Sequence, residues 1–268
     1  MDLQLSGKRA VVTGSSSGIG EAIAKALAAE GASVVVHGRR EAEAKRVATE
    51  IRAAGGKAAV ALGDLGTDAG AEAVASVANE AFGGADILVN NAGAFPGGPW
   101  LESTAEQWTG LYDQNVGSMV RLITRLVPGM KQRGWGRVIA IASVVGTMPF
   151  ARSAAYAATK VANINLAVSL AKDLAGTGVT SNAVSPGMIL TPGAEDLLRK
   201  LAAEAGVPAD DLEAVKAFAV KNVAPNPSGR IGQPEDIATA VAFIASPLAG
   251  YINGANLRVD GGVVPTVN

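Results

Sequence analysis

The 268-residue chain contains no cysteine. That excludes a disulfide framework, a thiol nucleophile and any cysteine-built metal site. It has one histidine, His37, so histidine-based catalysis or zinc ligation has almost no material, and the plain reading of His37 is a polar residue ending a strand. The net charge is −1 and no long charge run is present. These facts speak against a nucleic-acid groove or a polybasic membrane patch. No stretch approaches the roughly 18 uninterrupted apolar residues of a membrane span. Met1-Asp2-Leu3-Gln4 lacks the charged and apolar regions of a signal peptide. The expectation is a cytoplasmic protein with no nucleic-acid, membrane or metal partner.

What is present is a hydrophobic content of 49%, enough for a large core in one α/β domain. Short Val/Ile-rich runs alternate with helical patterns without a break in composition, as in a parallel sheet covered on both faces. Strands are predicted near 8–13, 33–37, 57–62, 86–90, 137–142, 178–184 and 255–259. Helices are predicted near 19–30, 41–54, 68–82, 105–132, 153–175 and 234–246. Residues 1–268 therefore read as one domain, an α/β doubly wound parallel sheet of seven strands in the Rossmann manner.

Ser143 closes the apolar run Val138-Ile139-Ala140-Ile141-Ala142, and thirteen residues on, Tyr156 is followed by Lys160. On a helix, Tyr156 and Lys160 stand at i and i+4, one above the other on one face. A nearby ammonium stabilises a phenolate and lowers the phenol pKa from about 10. Such a pair can exchange a proton with an alcohol or ketone; alone, the spacing can equally be an accident of the helix. Glycines at 14, 18 and 20, in Thr13-Gly14-Ser15-Ser16-Ser17-Gly18-Ile19-Gly20, follow a strand and open a helix. There a missing side chain lets backbone approach a pyrophosphate and the helix N-terminus supplies free N–H groups; the alternative is merely a tight turn.

Together with Asn90-Asn91-Ala92-Gly93, Asn115 and Pro186-Gly187, in this order and spacing, these motifs resemble the short-chain dehydrogenase/reductase family in its single-domain form. The resemblance runs from about Leu5 to Gly262 and points toward the 3-oxoacyl-acyl-carrier-protein reductase type. It implies a catalytic tetrad of Asn115, Ser143, Tyr156 and Lys160, with Asn115 distorting its helix and holding a water that links the lysine to solvent. It implies a cofactor held by Gly14, Ser15, Ser17, Gly18, Ile19 and Gly20, by Asp64 and Leu65, and by Asn90, Asn91, Ala92 and Gly93, with Asn91 also bracing the sheet. Tyr156 and Lys160 complete that set with Pro186, Gly187, Ile189 and Thr191, the last two holding a carboxamide. Asp64 reads equally well as the cap of the next helix. Relatives often assemble across their last strand, so a homotetramer, or a homodimer, is expected.

An NAD site wants an acid at the end of the second strand. The aligned position is Gly38, and Arg39 and Arg40 follow. A guanidinium pairs bidentately with a 2′-phosphate, which predicts NADP(H), with Arg39 as the main contact and Ser15 or Arg40 assisting; the alternative is a solvated basic helix cap. Phe95, Val145 and Met188, with Ser143 and Tyr156, are candidate substrate contacts. Trp100, Val144, Met148 and Phe150 are further wall candidates, though Phe95 and Trp100 suit subunit contact or plain packing as well. Residues 192–228 exceed what such reductases carry and read as a lid of two helices, about 194–205 and 209–221. Leu197, Leu201, Leu212 and Phe218 there either cover a nonpolar substrate or pack on the body. The expected activity is NADPH-dependent reduction of a mostly apolar ketone, reversible as alcohol oxidation. The rivals are a silent cofactor-binding regulatory or structural subunit, and a lyase or epimerase with a tightly held nicotinamide.

Overall fold

The computed structural model describes residues 1–266. Seven strands, β1 (Arg9–Val12), β2 (Ser33–Gly38), β3 (Lys57–Leu62), β4 (Ile87–Asn90), β5 (Gly136–Ile141), β6 (Val179–Pro186) and β7 (Asn256–Val259), form one sheet in the order β3-β2-β1-β4-β5-β6-β7. Every pairing is parallel. All carboxyl ends therefore lie on one side, and the order reverses between β1 and β4, where ligands of open α/β sheets bind.

Nearly unbroken apolar strands need cover on both faces. On one face α1 (Gly18–Ala29), α2 (Glu41–Ala53) and α9 (Pro234–Ala245) bury Ile23, Leu27, Val47, Ile51, Ile237 and Val241 against the β1, β2 and β5 side chains. The other face takes α3 (Asp68–Phe82) and α5 (Ser118–Arg133), with Val74, Leu122 and Leu126 fully or nearly buried, and α6 (Ala154–Asp173), whose Ala167 packs on Ala142 and Ala183. Each of the valine, leucine and isoleucine side chains contributes about 1.5–3 kcal/mol of burial. Close approach of α1 to the sheet depends on Gly20: a Cβ there would overlap the Gly14 carbonyl and lie 2.5 Å from Asn91 Nδ2.

The long helix expected over 105–132 is two helices, α4 (Ala105–Tyr112) and α5, joined by a π-helical turn over Asp113–Gly117. A Cβ at Gly117 in that turn would overlap Asp113 Oδ1, so a larger residue there would push the Asp113 carboxylate aside. Residues 192–228 contain α7 (Pro192–Glu204) and α8 (Leu212–Asn222), within two residues of the expected bounds at three of their four ends. Of Leu197, Leu201, Leu212 and Phe218, for which the sequence allows either substrate cover or packing on the body, none lines the cavity that holds Tyr156, and Phe218 packs on the core between the two helices. Leu198, Ala202, Val215 and Ala219 are buried between the two helices with Ile231, while Leu197 is exposed. Helical spacing puts Leu198 rather than Leu197 on the inner face.

Candidate active site

The carboxyl edge of the sheet bears two cavities that meet at Gly93 and Ala94. The first, about 320 Å³, lies over β1, β2 and β3 and is lined by Ser16, Ser17, Gly38, Arg39, Arg40 and Asp64, among others. The second, about 610 Å³, lies over β4, β5 and β6 and holds Ser143, Tyr156 and Lys160. The N-terminus of α1 stands between them, with Ser17 on the first cavity and Ile19 on the second. Gly14 (φ +62°) and Gly18 (φ +58°) adopt the left-handed conformation that lets the chain turn there.

The turn is fixed from below by β4. Thr13 Oγ1 accepts the N–H groups of Asn91 and Ala92 at 2.9 and 2.8 Å. Asn91 Nδ2 donates to the carbonyls of Thr13 and Gly14 at 2.9 and 3.2 Å. Asn91 is thus the expected brace. Ser15 departs from its expected phosphate contact: it is fully buried, donates to the Val12 carbonyl at 2.7 Å and accepts the His37 N–H at 2.9 Å. Ser16 and Ser17 face the cavity instead. Arg40 pairs with Glu43 at 3.3 Å, whereas Arg39 has no acidic partner among the described residues. Asp64 does not cap α3; Thr67 does, accepting the Gly70 N–H at 3.1 Å, while Asp64 accepts the Gly66 N–H at 3.0 Å.

In the second cavity Tyr156 and Lys160 share one face of α6, which packs on the turn after β5 that carries Ser143. Ser143 Oγ accepts the Val145 N–H at 3.3 Å. Lys160 is buried and its Nζ donates to the Ile141 carbonyl at 2.8 Å, 5.4 Å from the centre of the Tyr156 ring. Burial pulls its ammonium down to about 8. Burial also pushes the Tyr156 phenol up to about 12, against an opposing hydrogen bond with Ser143. The expected lowering of the phenol is thus absent from this structure: desolvation outweighs a cation that is 5.4 Å from the ring and already engaged by a carbonyl.

Asn115 lies in the π turn and is buried. Its Oδ1 accepts the Ala94 N–H at 2.7 Å, and its Nδ2 donates to the Ala94 carbonyl at 3.0 Å and to Thr159 Oγ1 at 3.1 Å. A Cβ at Gly93 would stand 3.0 Å from Asn115 Oδ1, so a side chain there would press the amide out of this arrangement by a few tenths of an ångström. The next residue after Ala94, Phe95, packs its ring on Tyr156.

Pro186, Gly187, Met188, Ile189 and Thr191 line the second cavity together with Phe95, Val144, Val145, Met148 and Phe150. Thr191 also caps α7, accepting the Ala194 N–H at 3.3 Å. Trp100 is elsewhere, 4.9 Å from Trp108 over a separate surface cavity. Val223, Ala224 and Pro225, from the 192–228 segment already expected near the substrate, line the second cavity too, whereas sequence reasoning missed Val263. Among the described residues no helix is long and apolar enough to cross a membrane.

Comparison with known proteins agrees with this geometry. The family model for short chain dehydrogenases matches residues 8–202. An uncharacterized oxidoreductase of Bacillus subtilis, YvaG, is 40% identical, with all of both chains covered. The 3-oxoacyl-(acyl-carrier-protein) reductase FabG of Vibrio cholerae is 38% identical over 97% of this chain and 99% of its own. The structure of L-sorbose reductase from Gluconobacter frateurii, complexed with NADPH and L-sorbose, superposes with a TM-score of 0.93 at 35% identity over the whole of both chains. With a parallel seven-stranded sheet, a glycine turn at its switch point and Ser143, Tyr156 and Lys160 around one cavity, the chain belongs to the short-chain dehydrogenase family.

Proposed function

We propose that this protein reduces a ketone to a secondary alcohol with NADP(H), reversibly, and that Asn115, Ser143, Tyr156 and Lys160 carry the chemistry. The observation that supports this most directly is that Ser143, Tyr156 and Lys160 line one largely apolar cavity, with Tyr156 and Lys160 on one helix. Two cavities joined at Gly93, with a helix N-terminus between them, suit a dinucleotide. Arg39 suits a 2′-phosphate, with Ser16 replacing Ser15 as the neighbouring hydroxyl. Gly14, Ser17 and Gly18 suit the pyrophosphate, and Ile189 and Thr191 the carboxamide. When bound, NADPH supplies the hydride.

In this reading Ser143 donates a hydrogen bond to the substrate carbonyl and Tyr156 gives it a proton. Lys160, held by the Ile141 carbonyl, places a cation beneath the ribose and favours the phenolate once the proton has left. Asn115 keeps Ala94 and Thr159 in place and so shapes the path by which the proton is replaced.

Phe95, Val144, Val145, Met148, Phe150 and Val263 form the walls, and among the described residues Lys160 is the only one with a charged side chain on the cavity. That supports an uncharged ketone with apolar flanks: a carboxylate finds no free cation there, and a polyol few partners for its hydroxyls. The segment 192–228 serves as a lid over this cavity, contributing Val223, Ala224 and Pro225. Assembly into a homotetramer is supported by exposed Tyr112, Val120 and Val161 on the α4–α6 side and by exposed Tyr251 and Leu257 around edge strand β7.

The test is NADPH consumption by wild type and Tyr156→Phe across neutral apolar ketones, a 3-oxoacyl thioester, a 3-oxo acid and a ketose. Turnover of the neutral ketones, lost in the variant, is expected. Undiminished turnover by Tyr156→Phe would refute the role given to the phenol.

A further inference from the structure

His37, the chain's single histidine, is not a bystander at a strand end. It is 3% exposed and sits where β2 runs between β1 and β3. Its backbone is tied to the glycine turn twice: Ser15 N–H donates to its carbonyl at 2.8 Å and its own N–H donates to Ser15 Oγ at 2.9 Å. Its ring extends the tie across the strands. Gly14 N–H donates to Nδ1 at 3.0 Å, and Nε2 stands 3.1 Å from the Gly63 carbonyl. A backbone N–H only donates and a carbonyl only accepts, so the tautomer is set by its partners: lone pair on Nδ1, proton on Nε2. The ring thereby spans from the turn after β1 to the turn after β3, and His37, Gly14 and Gly63 all line the first cavity.

We propose that neutral His37 is a positioning residue for the cofactor, holding the Gly14 and Gly63 turns at the spacing the dinucleotide needs, and that protonation of Nδ1 releases the Gly14 turn and weakens binding in acid. This rests on the assignment of the first cavity to NADP(H). A proton on Nδ1 would face the Gly14 N–H, two donors with no acceptor between them. Gly14 has little room to accommodate this, because a Cβ there would already lie 3.0 Å from the Ala92 Cα.

Burial holds the imidazole below its ordinary range, with the Gly63 carbonyl opposing. The charged groups facing it are Arg39 from the end of β2, which opposes protonation, and Asp64 from the end of β3, which favours it; the turn after β1 contributes none. The neutral form is therefore the binding form, and affinity is lost as pH falls through a value under the usual 6.5 or so.

The experiment is NADPH titration of untagged protein from pH 5 to pH 8, with far-UV circular dichroism confirming the fold at each pH. His37→Asn places an amide oxygen where Nδ1 stands, accepts the Gly14 N–H and does not titrate. At pH 8 His37→Asn, whose amide is too short to keep the bond to the Gly63 carbonyl as well, should bind NADPH about three- to tenfold more weakly than wild type. Toward pH 5 the wild-type Kd should climb more steeply than the variant's, so that the ratio of variant to wild-type Kd falls by up to about tenfold per pH unit below the imidazole pKa. The 2′-phosphate titrates in both and cancels in the ratio. Parallel profiles would overturn the role of His37 alone. Absence of wild-type binding at pH 8 would overturn the cofactor assignment and this inference with it. If His37→Asn does not fold, the ring of this lone histidine is observable by NMR in the wild type. An Nε2–H tautomer whose pKa drops further when NADPH saturates the protein supports the proposal, and a rise on saturation refutes it.

Discussion

The Phe95 ring meets the Tyr156 ring edge-on, with centroids 4.6 Å apart and planes at 76°. Phe95 directly follows Ala94, whose N–H and carbonyl are both bound by the Asn115 amide. A side chain in the π turn thus fixes the backbone of a loop whose next residue packs on the Tyr156 phenol. Edge-to-face pairs contribute about 0.5–1.5 kcal/mol. Phe95→Leu keeps the wall apolar but removes that contact, so kcat should fall roughly 2- to 10-fold with a smaller change in KM. Steady-state kinetics on the best ketone checks this; a change confined to KM would make Phe95 a wall and nothing more.

Reduction consumes the protonated phenol, and oxidation requires the phenolate. With the Tyr156 phenol pushed up to about 12 in the free protein, the acid form prevails throughout the neutral range. For reduction, kcat/KM should be nearly level from pH 6 to pH 7.5, below the Lys160 value of about 8. For alcohol oxidation it should rise with pH over the same interval, approaching tenfold per unit. A bell centred near pH 7 in both directions would mean that the free protein already holds a lowered phenol.

Lys160 is charged in the unfolded chain up to about pH 10.5, but burial lowers it to about 8 in the fold. Between those values the unfolded state binds the extra proton, so stability rises with pH there; below pH 8 the full cost of burying the cation is present. The whole window corresponds to about 3 kcal/mol. Lys160→Met lacks this slope. Urea unfolding of both proteins at pH 8 and pH 10.5 should show the wild type gaining on the variant, and equal slopes would contradict the burial argument.

Arg39→Ala should raise KM for NADPH about 10- to 100-fold, as expected for lost charge-assisted hydrogen bonds, and leave KM for NADH nearly unchanged. Ser15→Ala, one turn of backbone away, should do the opposite. It breaks the bonds to Val12 and His37, costs about 1–3 kcal/mol of stability and lowers Tm by several degrees, without altering the choice between NADPH and NADH.

That contrast shows where sequence reading stops. Three consecutive serines are indistinguishable in one dimension. Which one turns inward is decided by the left-handed Gly14 and Gly18 on either side. His37 was legible only as a strand end because its ring partners, Gly14 and Gly63, are 23 and 26 residues away and become neighbours through the strand order β3-β2-β1. The strands themselves were plain, since runs such as Val34-Val35-Val36 and Val138-Ile139 announce buried parallel strands. The break at Asn115 left no mark in the hydrophobic period and entered only through the family resemblance. Tyr156, Ser143 and Lys160 were legible as a motif, but the burial of Lys160 and its bond to the Ile141 carbonyl, which keep its cation from lowering the phenol, depend on packing.

The π turn over Asp113–Gly117 is in effect one residue too many for a regular helix. Removing Gly117 would let α4 and α5 fuse into a continuous α-helix. It would leave the two helices in register, because the wide turn already absorbs the extra residue, but it would remove the bulge that holds the Asn115 amide against Ala94. The surplus residue therefore serves to aim one side chain, and a chain one residue shorter would be a better helix with its asparagine misplaced.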